Sequence, residues 1–155
     1  MANNFQSQDS TERSMSVTKR IESWDNIEII ISRLANKIKQ SKEIFDIILG
    51  IDTGGDVPAF LLSKFLNIPR RMISKDIPIK SLKKYRAQKV LFVDDLLDSG
   101  YTFEQIQNTA QRAGITYKIA TLFWKPFSSI DADFYVYATT DFIVFPWERL
   151  EINKT

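Results

Sequence analysis

The sequence predicts an α/β fold, a mostly parallel sheet flanked by helices, and two features carry that prediction. Short apolar runs at residues 45–51, 90–93, 118–124 and 134–138 alternate with stretches of helical period. Strands spaced by helices join as parallel neighbours through right-handed crossovers. Two of these runs also stop abruptly at polar residues, Asp52-Thr53-Gly54-Gly55 and Asp94-Asp95. In open α/β sheets, ligands gather where strands end in this way.

Composition sets the outer bounds. The chain has 155 residues, 44% of them apolar and 26% charged, enough for one domain with a real core. A net charge of +2 is too small to point to nucleic acid as a partner. Cysteine is absent, which removes disulfides, thiolate metal sites and a thiol nucleophile. Histidine is absent as well, so acid–base work falls to carboxylates, lysine or tyrosine. No window reaches the length of a membrane span, and the polar start lacks the apolar core of a signal peptide. The expectation is a cytoplasmic protein with no membrane partner.

Taken in order, residues 1–19 are rich in Asn, Gln, Ser and Thr and are expected to form a flexible polar tail, leaving 20–155 as the domain. Asp25 and Glu28 have the spacing of a helix cap, opening a helix with Ile27, Ile30, Ile31, Leu34, Ala35 and Ile38 on one face. Core packing explains that stripe. The strand at 45–51 follows and breaks at its glycine turn. Asp56 then suits an N-cap and Pro58 an early helical position, for a helix through Ala59, Leu62 and Leu66. A short strand at 70–73 leads to a basic connection with Lys75, Lys80, Lys83, Lys84 and Arg86. Its plain reading is a solvated loop, its functional one a lid over a polyphosphate.

The stretch from Val90 to Ala113 is the centre of the pattern. Val90-Leu91-Phe92-Val93 reads as a buried strand, Asp94-Asp95 ends it, and Asp98-Ser99-Gly100-Tyr101-Thr102 turns into a helix. Thr102 and Gln105 make a capping-box signature, Phe103, Ile106, Ala110 and Ala113 mark the buried face, and Gly114 stands where a terminating glycine belongs. Backbone N–H groups of such a turn converge with the helix N-terminus on one small volume, which suits an anion. Ser99 and Thr102 add hydroxyl donors, and Gly100 lets the backbone approach closely. Carboxylates beside a phosphate repel it, so Asp94 and Asp95 are expected to hold sugar hydroxyls or a divalent cation.

The thirteen residues from Val90 to Thr102 resemble the phosphoribosyl-pyrophosphate (PRPP) motif of type I phosphoribosyltransferases: four apolar residues, two acids, two apolar residues, then acid, Ser or Thr, Gly, any residue, Thr. The resemblance runs from about Trp24 to Glu148. Gly50-Ile51-Asp52-Thr53-Gly54-Gly55-Asp56-Val57-Pro58 is similar to the pyrophosphate loop of the purine branch, Phe123-Trp124-Lys125-Pro126 to its Lys-Pro element, and Phe142-Ile143-Val144-Phe145-Pro146-Trp147-Glu148 to its aromatic ending. Together these resemble the bacterial xanthine-guanine and hypoxanthine phosphoribosyltransferases.

The resemblance implies an open, twisted, mostly parallel sheet flanked by helices, with a small hood formed by the terminal segments. It implies transfer of phosphoribose from PRPP to a 6-oxopurine, with Mg²⁺ as cofactor, pyrophosphate as leaving group and a homo-oligomer, dimer or tetramer, as the assembly. Asp98 is implied as the base or proton relay at the purine N7. Asp98, Ser99, Gly100, Tyr101 and Thr102 would bind the 5′-phosphate, and Asp94 and Asp95 the ribose hydroxyls and the metal. Thr53, Gly54 and Gly55 would meet the pyrophosphate, and Lys125, Phe142 and Ile143 the purine. Thr53 stands where the branch usually has arginine, and Lys75 is the candidate replacement cation. The segment between Ser74 and Val90 is also short and lacks the usual Ser-Tyr element.

Plainer readings stand beside these. Asp98 and Thr102 suit a turn and a cap, although the acidic pair upstream argues against capping alone. Lys125 fits an exposed strand end, and Phe142, Phe145 and Trp147 fit a core, the favoured reading for Trp147. A phosphoryl-receiver domain needs more chain than the 60 residues after Asp95. A kinase of the P-loop class is excluded because no Gly-Lys-Ser/Thr string exists. The alternative kept is a PRPP- or nucleotide-binding regulatory module of the same fold.

Overall fold

The computed structural model describes residues 17–152. Most of the expected tail, residues 1–16, lies outside them, and Lys19 already opens a strand. Helix α1 (Trp24–Gln40) buries the six apolar residues of its expected stripe. Its cap differs from expectation: the Ser23 hydroxyl accepts from the Asn26 N–H at 3.1 Å, while Asp25 lies in the first turn, where its charge favours the helix dipole.

The main sheet has five parallel strands, β2 (Ile47–Ile51), β3 (Arg70–Ile73), β4 (Lys89–Leu97), β5 (Thr116–Trp124) and β6 (Phe134–Ala138), in the order β3-β2-β4-β5-β6. Two cores follow from alternation along the strands. Leu91, Val93, Ala120 and Leu122 pack with α1 and α2 (Asp52–Leu66), whereas Val90, Phe92 and Ile119 pack with α4 (Tyr101–Ala113). The basic connection is not an open loop. It forms a short helix α3 (Ile79–Leu82) and a 3-10 turn (Lys83–Tyr85) whose Leu82 and Tyr85 are buried in the second core.

Beyond the main sheet, β1 (Lys19–Ile21) pairs in parallel with β7 (Phe142–Val144), Arg20 opposite Ile143. This two-stranded ribbon, built from the ends of the described chain, is the expected hood. Helix α5 (Pro146–Ile152) follows it, capped where Glu148 Oε2 accepts from the Phe145 N–H at 3.0 Å.

Candidate active site

Strand β4 does not stop at the acids. It keeps its parallel register with β5 through Asp94 opposite Thr121 and on to Leu97 opposite Trp124, so the acidic pair is carried on regular sheet. A strand turns successive side chains to opposite faces. Asp95 meets α2, whose Gly54 lies so close that a Cβ there would fall 3.0 Å from Asp95 Oδ2. Asp94 lines a small cavity of about 70 Å³ together with Asp98, Ser99, Gly100, Tyr101 and Thr102. The structure therefore brings Asp94 and the anion loop together and turns Asp95 to the cleft beside α2.

That loop has a specific geometry. Gly100 has φ 96° and precedes the first residue of α4, and no side chain caps the helix. The expected capping box does not form. Thr102 lies inside the first turn, and Gln105 Nε2 donates instead to the Tyr101 hydroxyl at 3.2 Å. The Tyr101 N–H donates to the Ser99 hydroxyl at 3.3 Å, while no side chain accepts from the next N–H groups, Thr102 and Phe103, the condition under which such a terminus receives an anion. Behind the loop stands the connection after β5: Ser129 donates to the Ser99 carbonyl from its N–H at 2.9 Å and its hydroxyl at 3.1 Å. A Cβ on Gly100 would fall 2.4 Å from Ser129 Oγ. Nothing in the residue pattern singles out Ser129, because its role comes from a contact thirty positions away.

The glycine pair is placed differently from a loop. Thr53, Gly54 and Gly55 form the first turn of α2, which begins at once after β2 with Asp52 at φ 53°. Asp56 is consequently not the cap; it pairs with Arg70, and Pro58 lies within the helix. Gly55 packs so tightly on β4 that a Cβ would meet the Val93 carbonyl at 2.4 Å. The Lys75 N–H donates to Asp52 Oδ1 at 3.2 Å, which brings Lys75 to the start of α2. Asp52, directly after a buried strand, thus ties the start of α2 to the segment after β3.

Burial sets the electrostatics. It pushes the Asp94 carboxyl well above the usual 3.8, and the neighbouring Asp95 and Asp52 charges add to the rise. Burial also lifts Asp95 to about 7, against the stabilising Asp94 contact and with the Glu148 charge adding. Both residues remain half-buried, each keeping a window on its cleft. A second cleft of about 330 Å³ opens beside Asp95, lined by Thr53, Gly54, Val57, Trp147 and Glu148.

On the hood side, Lys125 is 5% exposed and its Nζ donates to the Asp141 carbonyl, while its N–H donates to the Leu97 carbonyl at 2.9 Å. Phe142, next in sequence to Asp141, is exposed on β7 and available for stacking. The Ile143 side chain is buried in the core with Phe145, so only its backbone is free to meet a ligand. Trp147 stacks on Phe145 with ring centroids 4.7 Å apart.

A parallel sheet whose central strand carries paired acids shortly before an anion loop defines a class of sugar-phosphate-handling α/β proteins, and the comparisons name it. The chain belongs to the phosphoribosyl transferase domain family, whose model matches residues 17–149. It is similar to a xanthine-guanine phosphoribosyltransferase of Cereibacter sphaeroides, 28% identical over 151 residues that span 81% of this chain and 84% of the relative. Among solved structures it is similar to a purine phosphoribosyltransferase from Pyrococcus horikoshii, at 32% identity and TM-score 0.70, covering 84% of this chain and 94% of the other. A Helicobacter pylori xanthine-guanine-hypoxanthine phosphoribosyltransferase shares the fold, at TM-score 0.74 and 22% identity over 87% of this chain and 97% of the other. Phosphoribosyl transfer is the chemistry of the family to which this fold belongs.

Proposed function

We propose that this chain transfers the 5-phosphoribosyl group of PRPP to a 6-oxopurine (guanine, xanthine or hypoxanthine), giving the purine mononucleotide and pyrophosphate in purine salvage. The observation that carries the reading is the shared cavity of Asp94 and the loop from Asp98 to Thr102 beneath the N-terminus of α4. On this reading a phosphate occupies the loop and the ribose attached to it lies toward Asp94.

The reaction displaces pyrophosphate from the ribose C1 through an oxocarbenium-like state, so orientation and charge stabilisation are the protein's tasks. Ser99 to Thr102 bind the 5′-phosphate through backbone N–H groups and hydroxyls. Asp94 and Asp95 accept from the ribose hydroxyls. The exposed Asp98 takes the proton at the purine N7. Thr53, Gly54 and Gly55 offer first-turn N–H groups to the pyrophosphate, with Lys75 as the nearby cation. Lys125 donates to the purine's exocyclic oxygen, since an ammonium has donors and no acceptor. Phe142 stacks on the base, and Ile143 meets it through its backbone.

The donor set suits Mg²⁺. Paired carboxylates supply hard oxygen ligands, and among the described residues no three acidic groups form a cage on their own, so substrate phosphates would complete the shell. When bound, the ion neutralises charge on the departing pyrophosphate. A cytoplasmic location and a homo-oligomeric assembly, dimer or tetramer, belong to this reading. Among the described residues no helix is long and apolar enough to cross a membrane.

The test is a pyrophosphate-release assay with PRPP, Mg²⁺ and each 6-oxopurine, run beside Asp98→Asn. Release that the variant lowers by about 10²–10⁴-fold, with PRPP affinity kept, supports the reading. Tight PRPP binding with no release for any purine replaces it with the regulatory module.

A further inference from the structure

The indole N–H of Trp147 is shut away from water, yet no acceptor lies within hydrogen-bonding geometry. Buried donors are nearly always paired, so an idle one calls for a function. Its surroundings are fixed. The ring lies flat on Phe145, with an interplanar angle of 9°, and its other neighbour is Trp24, 5.9 Å away and tilted. Phe145 is itself held by the Glu148 cap at the start of α5. The N–H direction is therefore set by packing and not by a free rotor.

The cleft that Trp147 lines is the one entered by Asp95. On its other side stands Gly54, whose missing side chain leaves room for Asp95 Oδ2. We propose that Trp147 is a positioning residue of the ribose subsite, its indole N–H holding the carboxylate of Asp95 in the orientation that receives the sugar hydroxyls. Asp95 then has one oxygen steadied by the indole and the other turned to the sugar, with Gly54 preventing a clash on the far side. The inference rests on the function proposed above only for the identity of the sugar; the placement of Trp147 and Asp95 on one cleft stands on its own.

The chain has three tryptophans, so the nitrogen-15-labelled full-length protein gives three indole N–H resonances. Trp147→Phe keeps a ring against Phe145, deletes one resonance and thereby assigns it. In the ligand-free protein, Asp95→Ala is expected to shift that resonance and leave those of Trp24 and Trp124 in place, since Trp124 already donates to the Ile130 carbonyl. PRPP with Mg²⁺ is expected to move the Trp147 resonance further. In kinetics, Trp147→Phe raises KM for PRPP about tenfold or more while KM for the purine stays constant.

A Trp147 resonance that ignores both Asp95→Ala and PRPP overturns the inference. So does a Trp147→Phe enzyme with unchanged KM for PRPP. If wild type fails to bind PRPP at all, the proposed function falls, while the ligand-free Asp95→Ala comparison still decides the role of Trp147.

Discussion

The chain passes from strand to helix twice at the edge where the site lies, and the two passages differ. After β4 it runs through Asp98, Ser99 and Gly100 before α4 begins, leaving an open loop with a glycine at φ 96°. After β2 it allows nothing: Asp52, at φ 53°, is followed directly by helix, and Gly54 and Gly55 press against β4. One passage leaves a small cavity open between Asp94 and the start of α4. The other removes space, so that a helix reaches the acidic pair. Glycines thus serve opposite ends in the two passages, backbone freedom at Gly100 and close approach at Gly55.

That contrast can be broken most severely at Gly55. A Cβ there meets backbone, the Val93 carbonyl at 2.4 Å, which cannot swing aside. Gly55→Ala is expected to cost about 3 kcal/mol of stability, read as a lowered urea midpoint. An unchanged midpoint would show that α2 is free to lift away from β4.

Gly100→Ala tests the other passage. Its Cβ would meet the Ser129 side chain, which can move, but the positive φ remains strained, a cost of about 1–3 kcal/mol. The loss should fall on affinity, weakening the binding of PRPP or a purine mononucleotide by about 10–100-fold with a smaller change in unfolding midpoint. If stability fell as far as in Gly55→Ala, the two passages would not be distinct in kind.

The pH dependence sharpens the comparison from the side of the acids. Asp95 holds its proton more tightly in the folded protein, at about 7, than the ordinary carboxyl value of 3.8. Over that window the folded state binds more protons than the unfolded one, so the stability of the ligand-free protein falls as pH rises from about 4 to 7 and then levels. Asp94 shifts in the same direction and adds to the fall. Asp95→Asn removes its share of the slope and should be more stable than wild type above pH 7 by about 1–3 kcal/mol, though impaired in turnover. A flat wild-type stability profile across this range would contradict the burial argument.

The smallest effect is expected at the start of α2. Thr53→Arg adds a cation where the family pattern has one, and should raise kcat/KM for PRPP a few-fold, about 0.5–1 kcal/mol for a charge open to solvent. No change would leave Lys75 as the sufficient cation.

Much of this was written plainly in the sequence. The stripe of α1, the β4 run with its acids and loop, and the strands around β5 and β6 all follow from periodicity and polar punctuation. What escaped did so for physical reasons. Asp52-Thr53-Gly54-Gly55 reads as a turn because glycine is a poor helix former, and only packing against β4 explains helical glycines there. The acids suggested the end of β4, yet register with β5 carries the strand to Leu97. β1 is too short to announce itself, since its order depends on β7, far along the chain. Of the site, the residue types were legible at Asp94, Asp95 and the loop. The support from Ser129 and Trp147 was not, because it comes from elements remote in sequence.

The ribbon of β1 and β7 also bears on how the molecule is made. Lys19 to Ile21 are synthesised well before their partners, Phe142 to Val144. The five main strands are complete at Ala138, so the nascent chain can collapse on its sheet while its first strand still waits. The edge that carries Phe142 closes last, and a chain cut short before it would keep most of its core and lack the surface on which a base would stack.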